Sequence, residues 1–191
     1  MAEARSNFFA EQLKDTPLQD VVVIDESYAT TTFTRLRGRC RRDQRLKAHV
    51  PHGHWKTLTM IGAITVQGVL AAASIDAATD AEVFRTFVSD VLLPSLRPGM
   101  VVVMDNLGAH KVEGIRQRIE SAQCRLVYLP PYSPDLSPIE NVWSKVKQTL
   151  RTTAARQVPA LHQAIEDAFA AVRAEDCRNC FDECGYTIHL K

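Results

Sequence analysis

Two uninterrupted apolar runs, Val21 to Ile24 and Val101 to Met104, each end on an aspartate, Asp25 and Asp105. A strand whose apolar run is not broken by polar alternation is one covered on both faces, and such strands belong to sheets with helices packed on either side. The two runs therefore point to an α/β chain.

The other elements arrange themselves around these runs. Residues 1–19 read as a short lead-in helix with an apolar patch of Phe8, Phe9 and Leu13, closed by Pro17. Val21 to Asp25 is a strand, Thr30 to Arg39 alternates as a second with a turn or bulge at Gly38, and Thr57 to Thr65 and Val69 to Ile75 form a hairpin turning at Gln67 and Gly68. A helix capped by Thr79, with Glu82 completing a capping box, carries Val83, Phe84, Phe87, Val88, Val91 and Leu92 as its apolar stripe and stops at Pro94 and Pro98. After the strand Val101 to Met104 come a helix (Val112 to Ala122), a short strand (Arg125 to Leu129) and helices over Pro138 to Leu150, Pro159 to Ala174 and Asp176 to Glu183. A meander followed by alternating helix and strand predicts a mixed sheet with helices on both faces. With 191 residues, 46% of them hydrophobic and 24% charged, the expected organisation is the lead-in helix at 1–19 and one domain over 20–191 that includes the C-terminal helices.

No stretch of 18 apolar residues is present and the N-terminal segment carries acids among its apolar residues, so neither a membrane span nor a signal peptide is expected and the chain reads as cytoplasmic. Five cysteines, an odd number, do not read as a disulfide framework in a chain of this length, and reduced thiols are expected. Cys177, Cys180 and Cys184 fall on one helical face, where cysteine packs as a small hydrophobe; zinc, with His189, is the alternative. His49, His52 and His54 form a similar loose group in a loop.

The formal net charge is only +1, yet Arg35, Arg37, Arg39, Arg41, Arg42, Arg45 and Lys47 are opposed by Asp43 alone. A local field of one sign attracts a polyanion whatever the total charge, so these residues are candidate nucleic-acid contacts, against the plainer reading of a solvated arginine-rich hairpin. Lys145, Lys147 and Arg151 join them on the helix from Pro138, whose buried stripe is Ile139, Val142, Trp143, Val146 and Leu150.

Asp25, Asp105 and Glu140 are the residues that carry chemistry. Each aspartate alone reads equally as the first polar residue of a surface loop, but the repeated context favours a shared crevice beyond the ends of neighbouring strands. Glu140 stands three residues after Ser137, with Pro138 between, which is also the pattern of a helix capping box. Against a mere cap stands the proline-framed approach LPPYSPDLSPIENVW, which fixes where the glutamate lands. Mg²⁺ prefers oxygen ligands and keeps several waters, so three carboxylates from separate elements suffice for a divalent-metal phosphoryl-transfer site.

The segments VVVIDES, VVVMDNLGAHK and LPPYSPDLSPIENVWSKVKQTLR resemble the three catalytic segments of the IS630 and Tc1/mariner group of DDE transposases, with Asp25, Asp105 and Glu140 at the matching positions. The 34 residues between Asp105 and Glu140 agree with the DD34E spacing of that group. The resemblance implies an RNase H-like fold, a five-stranded mixed sheet with helices on both faces. It implies a DNA transposase that cleaves strands at transposon ends and joins the 3′-hydroxyl to target DNA, usually at a TA dinucleotide. It also implies two Mg²⁺ or Mn²⁺ ions roughly 4 Å apart, bridged by Asp25 and held singly by Asp105 and Glu140.

Further implications concern neighbouring residues and partners. His110 matches the group's DNxxxH pattern and is placed either near phosphate or as a helix cap; Asn106 and Asn141 each follow a proposed ligand and are candidate hydrogen-bonding supports. Glu26 reaches the same site as Asp25 only if the strand ends there. The partners implied are double-stranded DNA, both transposon ends and target, held by a homodimer or larger assembly. Group members usually carry N-terminal helix-turn-helix modules, which do not precede Val21 here, so end recognition is expected from a separate polypeptide or a fused N-terminal region. A non-catalytic DNA-binding accessory protein and a structure-selective RNase H-like nuclease are the alternatives.

Overall fold

In the computed structural model of the chain, residues 7–77, 80–106 and 114–189 are described. Five strands form one sheet in the order β3-β2-β1-β4-β5, with β1 Val21–Thr30, β2 Thr57–Thr65, β3 Gly68–Ile75, β4 Val101–Met104 and β5 Arg125–Tyr128. β1, β2 and β3 run antiparallel to one another, whereas β4 pairs parallel to β1 and β5 parallel to β4. This is the expected mixed sheet.

The apolar runs are buried on both sides because helices cover both faces. Val21, Val23, Val101 and Val103 pack into a core with the C-terminal helices α3 Pro138–Thr153, α4 Val158–Ala170, α5 Ala174–Glu183 and α6 Tyr186–His189. Their alternates Val22, Ile24, Val102 and Met104 pack with α1 Ala81–Phe87 and α2 Ile115–Ser121. Strand side chains alternate between faces, so odd-numbered positions of β1 and β4 look toward α3. The consequence for Asp25 is direct: it follows Val21 and Val23 onto the α3 face.

Several expected boundaries are corrected. β1 does not end at Asp25 but continues to Thr30, because Glu26 to Thr30 pair with Ile61 to Thr57 of β2. Glu26 therefore lies on the opposite face from Asp25. The second strand expected over Thr30 to Arg39 does not form, Thr30 being the last residue of β1; residues 31–56 form an irregular arm that leaves and returns at one place, where Thr31 N–H donates to the Lys56 carbonyl at 3.0 Å and Lys56 N–H donates to Thr31 Oγ1 at 3.1 Å. Within the arm Gly38 lies against the tip of the exposed Leu46 side chain, whose Cδ2 a Cβ would meet at 2.6 Å. The hairpin turn between β2 and β3 sits at Val66 and Gln67.

Asp80, not Thr79, caps α1: its Oδ1 accepts from Glu82 N–H and Val83 N–H at 2.9 and 2.8 Å. Thr79 lies outside the described residues. The rod then widens into a π-helical stretch over Val88–Leu92 and closes in a 3₁₀ turn at Leu93–Ser95, where Pro94 interrupts it. The lead-in segment is a single π-helical turn, Phe8–Gln12, plus a 3₁₀ turn at Leu18–Asp20. Its Phe9 packs edge-on against Tyr186 of α6 at 5.0 Å, tying the first described residues to the last. Among the described residues no helix is long and apolar enough to cross a membrane.

Candidate active site

Three elements deliver the three carboxylates to one cavity of about 370 Å³, lined by Asp25, Asp105, Asn106, Glu140 and the loop from Leu129 to Pro134 with Ser137. Asp25 comes from the interior of β1 on the α3 face; Asp105 is the first residue after β4; Glu140 is the third residue of α3. Ser137 makes no side-chain capping bond to α3, so the capping box that competes for Glu140 is not formed. The glutamate instead borders the cavity.

Proline geometry and one long-range bond hold the loop that forms the cavity's far wall. Tyr186 is buried and its hydroxyl donates to the Leu136 carbonyl at 3.0 Å, and the Ser133 hydroxyl, itself buried, donates to the Pro131 carbonyl at 3.3 Å. Between the prolines Tyr132 is held at φ 55°, a left-handed conformation costly for a bulky residue, and its ring is 88% exposed at the cavity rim.

Asp25 is the most perturbed acid of the site. Burial, with the nearby negative charges of Glu140 and Glu26 adding to it, raises its carboxyl from 3.8 to about 7, against the lowering effect of two donors, the Trp143 indole and the Glu26 backbone N–H. The indole Nε1–H donates to Asp25 Oδ2 at 3.0 Å. A carboxylate kept from water beside another carboxylate is poised to exchange its proton for a cation.

A divalent ion suits this donor set. All three acids supply oxygen, and Asn106 adds a buried side-chain Oδ1 that has no hydrogen-bond partner among the described residues. Among those residues no three His, Cys, Asp or Glu side chains close into a ready-made metal cage, so the three acids share a cavity without forming one. The same finding leaves the zinc alternative at the cysteines without support among the described residues. Cys177 and Cys184 are buried, and burial pushes their thiols up to about 11 and about 12, as expected of packed, inert cysteines.

The basic residues divide. Lys147 lies over the ring of Tyr28 at 4.9 Å and feels the charges of Glu140 and Asp25, although burial of its amine lowers its pKa. Arg151 stacks on Phe33 at 5.1 Å and shares a surface cavity with Arg35 and Arg37, so the root of the arm and α3 make one basic strip. Arg39, Arg41, Arg42, Arg45 and Lys47 stand exposed along the arm. Lys145 is not available in the way its sequence position suggests, because it is paired with Asp176 of α5.

Asn141 is likewise corrected. Its amide donates to Glu183 Oε2 at 2.9 Å, so it braces α3 against α5 and does not line the cavity. His110 lies outside the described residues. Three features were missed in the sequence: the bond from Trp143 to Asp25, the opening left for that ring by Gly62, and the exposed Tyr132. A signal for the first was present, since Trp143 follows Glu140 by three residues and so shares its side of the helix.

A family model described as DDE superfamily endonuclease matches residues 20–162. The Tc1 transposase of Caenorhabditis elegans is 28% identical over 90 residues, 47% of this chain and 33% of that protein. The Tcb2 transposase of Caenorhabditis briggsae is 26% identical over 121 residues, 58% of this chain and 44% of that protein. The chain thus aligns with less than half the length of either relative. Among solved structures, the Mos1 transposase paired-end complex with left transposon end superposes with a TM-score of 0.74 at 16% identity, over 99% of this chain and 61% of that one. The Mos1 catalytic domain with Raltegravir and Mn gives 0.68 at 14% identity, over 99% and 92%. This likeness shows the RNase H-like fold.

Proposed function

The chain belongs to the DDE superfamily endonuclease family, as a transposase catalytic domain of the Tc1/mariner kind, and from that premise we propose that it cleaves DNA strands at transposon ends and joins the freed 3′-hydroxyl to target DNA, at TA. The observation that carries the proposal is the convergence of Asp25, Asp105 and Glu140, from a strand interior, a strand end and a helix start, on one cavity.

Asp25, Asp105 and Glu140 would hold two Mg²⁺ or Mn²⁺ ions, with Asp25 common to both. Such ions, when bound, activate a water or 3′-hydroxyl and stabilise the leaving oxygen of an in-line displacement at phosphorus. The chain's own residues do the rest. Lys147, Arg151, Arg35 and Arg37 hold phosphates beside the cavity, and the exposed arginines of the arm with Lys47 extend that contact along the duplex. Asn106 would offer its buried Oδ1 as an acceptor to a metal-bound water. By resemblance alone, His110 is a further candidate for phosphate contact.

The Mos1 paired-end complexes hold transposon ends; by likeness, this chain acts as a homodimer or larger assembly on two ends, with a helix-turn-helix polypeptide or N-terminal region reading their sequence. One reaction tests the proposal: the chain with Mn²⁺ or Mg²⁺ and labelled DNA carrying the inverted repeats that flank its gene. Joined strand-transfer product is expected. Cutting of branched DNA without joining makes the chain a structure-selective nuclease, and absence of both products makes it an accessory DNA-binding protein.

A further inference from the structure

We propose that Trp143 is a positioning residue for Asp25, and that Gly62 exists to let it be one: the glycine across the strand pair leaves the slot in which the indole lies and fixes one oxygen of the carboxylate. The inference deepens the proposed function and rests on it for the role of Asp25 toward a divalent ion.

The geometry begins with register. Gly62 of β2 is the cross-strand partner of Asp25 in β1. Leu58 and Met60 of β2 pack on the α3 face, and two further steps along the strand bring Gly62 to that same face. A Cβ built on Gly62 would meet Trp143 Cη2 at 3.0 Å and the ring of Phe169 at 3.3 Å, tighter than carbon atoms comfortably approach. A methyl group here would push the two rings back by a few tenths of an ångström, so the bare backbone lets the indole lie this close to the sheet beside the aspartate.

From α4, Phe169 closes the slot by packing edge-on to the Trp143 ring at 5.6 Å and 73°. Both rings are almost fully buried, at 2% and 6% exposure. A ring wedged between a glycine and a phenylalanine has little freedom to turn, so its Nε1–H has one direction to donate, and Asp25 Oδ2 lies there at 3.0 Å. An indole is a donor only, so the bond holds the carboxylate oxygen as an acceptor. With Oδ2 engaged from inside the protein, one oxygen of the carboxylate is fixed by a side chain, and the Glu26 backbone N–H is the second donor to the same group. Groups that orient a metal ligand in this way affect affinity about 10–100-fold.

The fold also supplies a reporter. The chain has two tryptophans, and Trp55 is exposed on the arm, so Trp55→Phe leaves Trp143 as the sole tryptophan of the full chain, to be excited at the red edge where tyrosine does not absorb. Titrating that protein with MnCl₂, a paramagnetic quencher, is expected to quench Trp143 along a saturable curve, and Asp25→Asn is expected to abolish the response. Trp143→Phe, which keeps a ring but removes the donor, is expected to weaken Mn²⁺ binding about tenfold, read from the resonance of the free ion. Gly62→Ala is expected to weaken it similarly while keeping the indole.

Mn²⁺ binding as tight in Trp143→Phe and in Gly62→Ala as in the parent overturns the proposal, as does an unresponsive Trp143 in a chain that binds Mn²⁺. If Trp143→Phe does not fold, the quenching curve and Gly62→Ala decide alone. DNA cleavage is a separate readout. A parent that shows the tryptophan response and cuts no DNA keeps the positioning role and loses the transposase reading. A parent that cuts DNA, with variants that bind Mn²⁺ unchanged, does the reverse.

Discussion

Asp25 and Asp105 each stand two residues beyond Val23 and Val103, a registered pair on the neighbouring parallel strands β1 and β4. The near-repetition of VVVID and VVVMD in the sequence is thus a repetition in space, and alternation sends both aspartates toward α3. Glu140 meets them there from the first turn of that helix.

The first prediction concerns pH and the metal-free chain. Asp25 has an ordinary value of 3.8 and a folded value of about 7, set first by burial. A carboxyl whose folded value is raised contributes its stability fully below the ordinary value and loses it as pH rises through the folded one. In chelator, the parent is therefore expected to melt at progressively lower temperature from about pH 5 to about pH 8 relative to Asp25→Asn. The variant should be the more stable at the upper end by about 1–3 kcal/mol. Parallel melting curves across that range contradict the assignment.

A second prediction separates the basic residues of α3. Lys147→Ala and Arg151→Ala should each lower DNA affinity and reduce the slope of log affinity against log salt by about 1. Lys145→Ala should leave the slope unchanged, because that ammonium is engaged by Asp176. Fluorescence anisotropy on one duplex at several salt concentrations measures all three.

A third concerns the wall of the cavity. Tyr186→Phe keeps the rings that pack on Phe9 and Phe181 but removes the donor to the Leu136 carbonyl. A loss of about 1 kcal/mol in urea unfolding is expected, the usual worth of one such bond. A variant as stable as the parent would show that the proline geometry alone holds the loop.

Much of this architecture was legible in the sequence because its strongest signals are local. The apolar runs at Val21 and Val101 and the hairpin strands from Thr57 to Ile75 gave the sheet, and the stripes of α1 and α3 gave the helices covering it. What escaped depends on partners distant in sequence. Glu26 and Ser27, just past the apolar run, carry little strand signal of their own and are in β1 because β2 pairs with them. Thr30 to Arg39 alternates like a strand, but the part beyond β1 finds no neighbour and stays irregular.

The site was legible in its acids and not in its supports. Glu140 was ambiguous by local rules, and only the structure, in which Ser137 forms no side-chain cap, removes the competing capping role. Asn141 and Lys145 sit beside a proposed ligand in sequence yet turn to Glu183 and Asp176, since neighbours along a helix point in different directions. Trp143 read as core, and it is core; its N–H reaches Asp25 from a ring that lies against the bare backbone of Gly62, 81 positions away.

The most direct test of the central claim compares the parent with Asp105→Asn in metal-dependent cleavage of DNA carrying the flanking inverted repeats, with melting temperatures measured alongside. Nicked and joined products are expected from the parent with Mg²⁺ or Mn²⁺ and none in chelator. At least a roughly hundredfold loss is expected in Asp105→Asn without loss of the fold. Products formed by Asp105→Asn at the parent's rate, or by the parent in chelator, would contradict the claim.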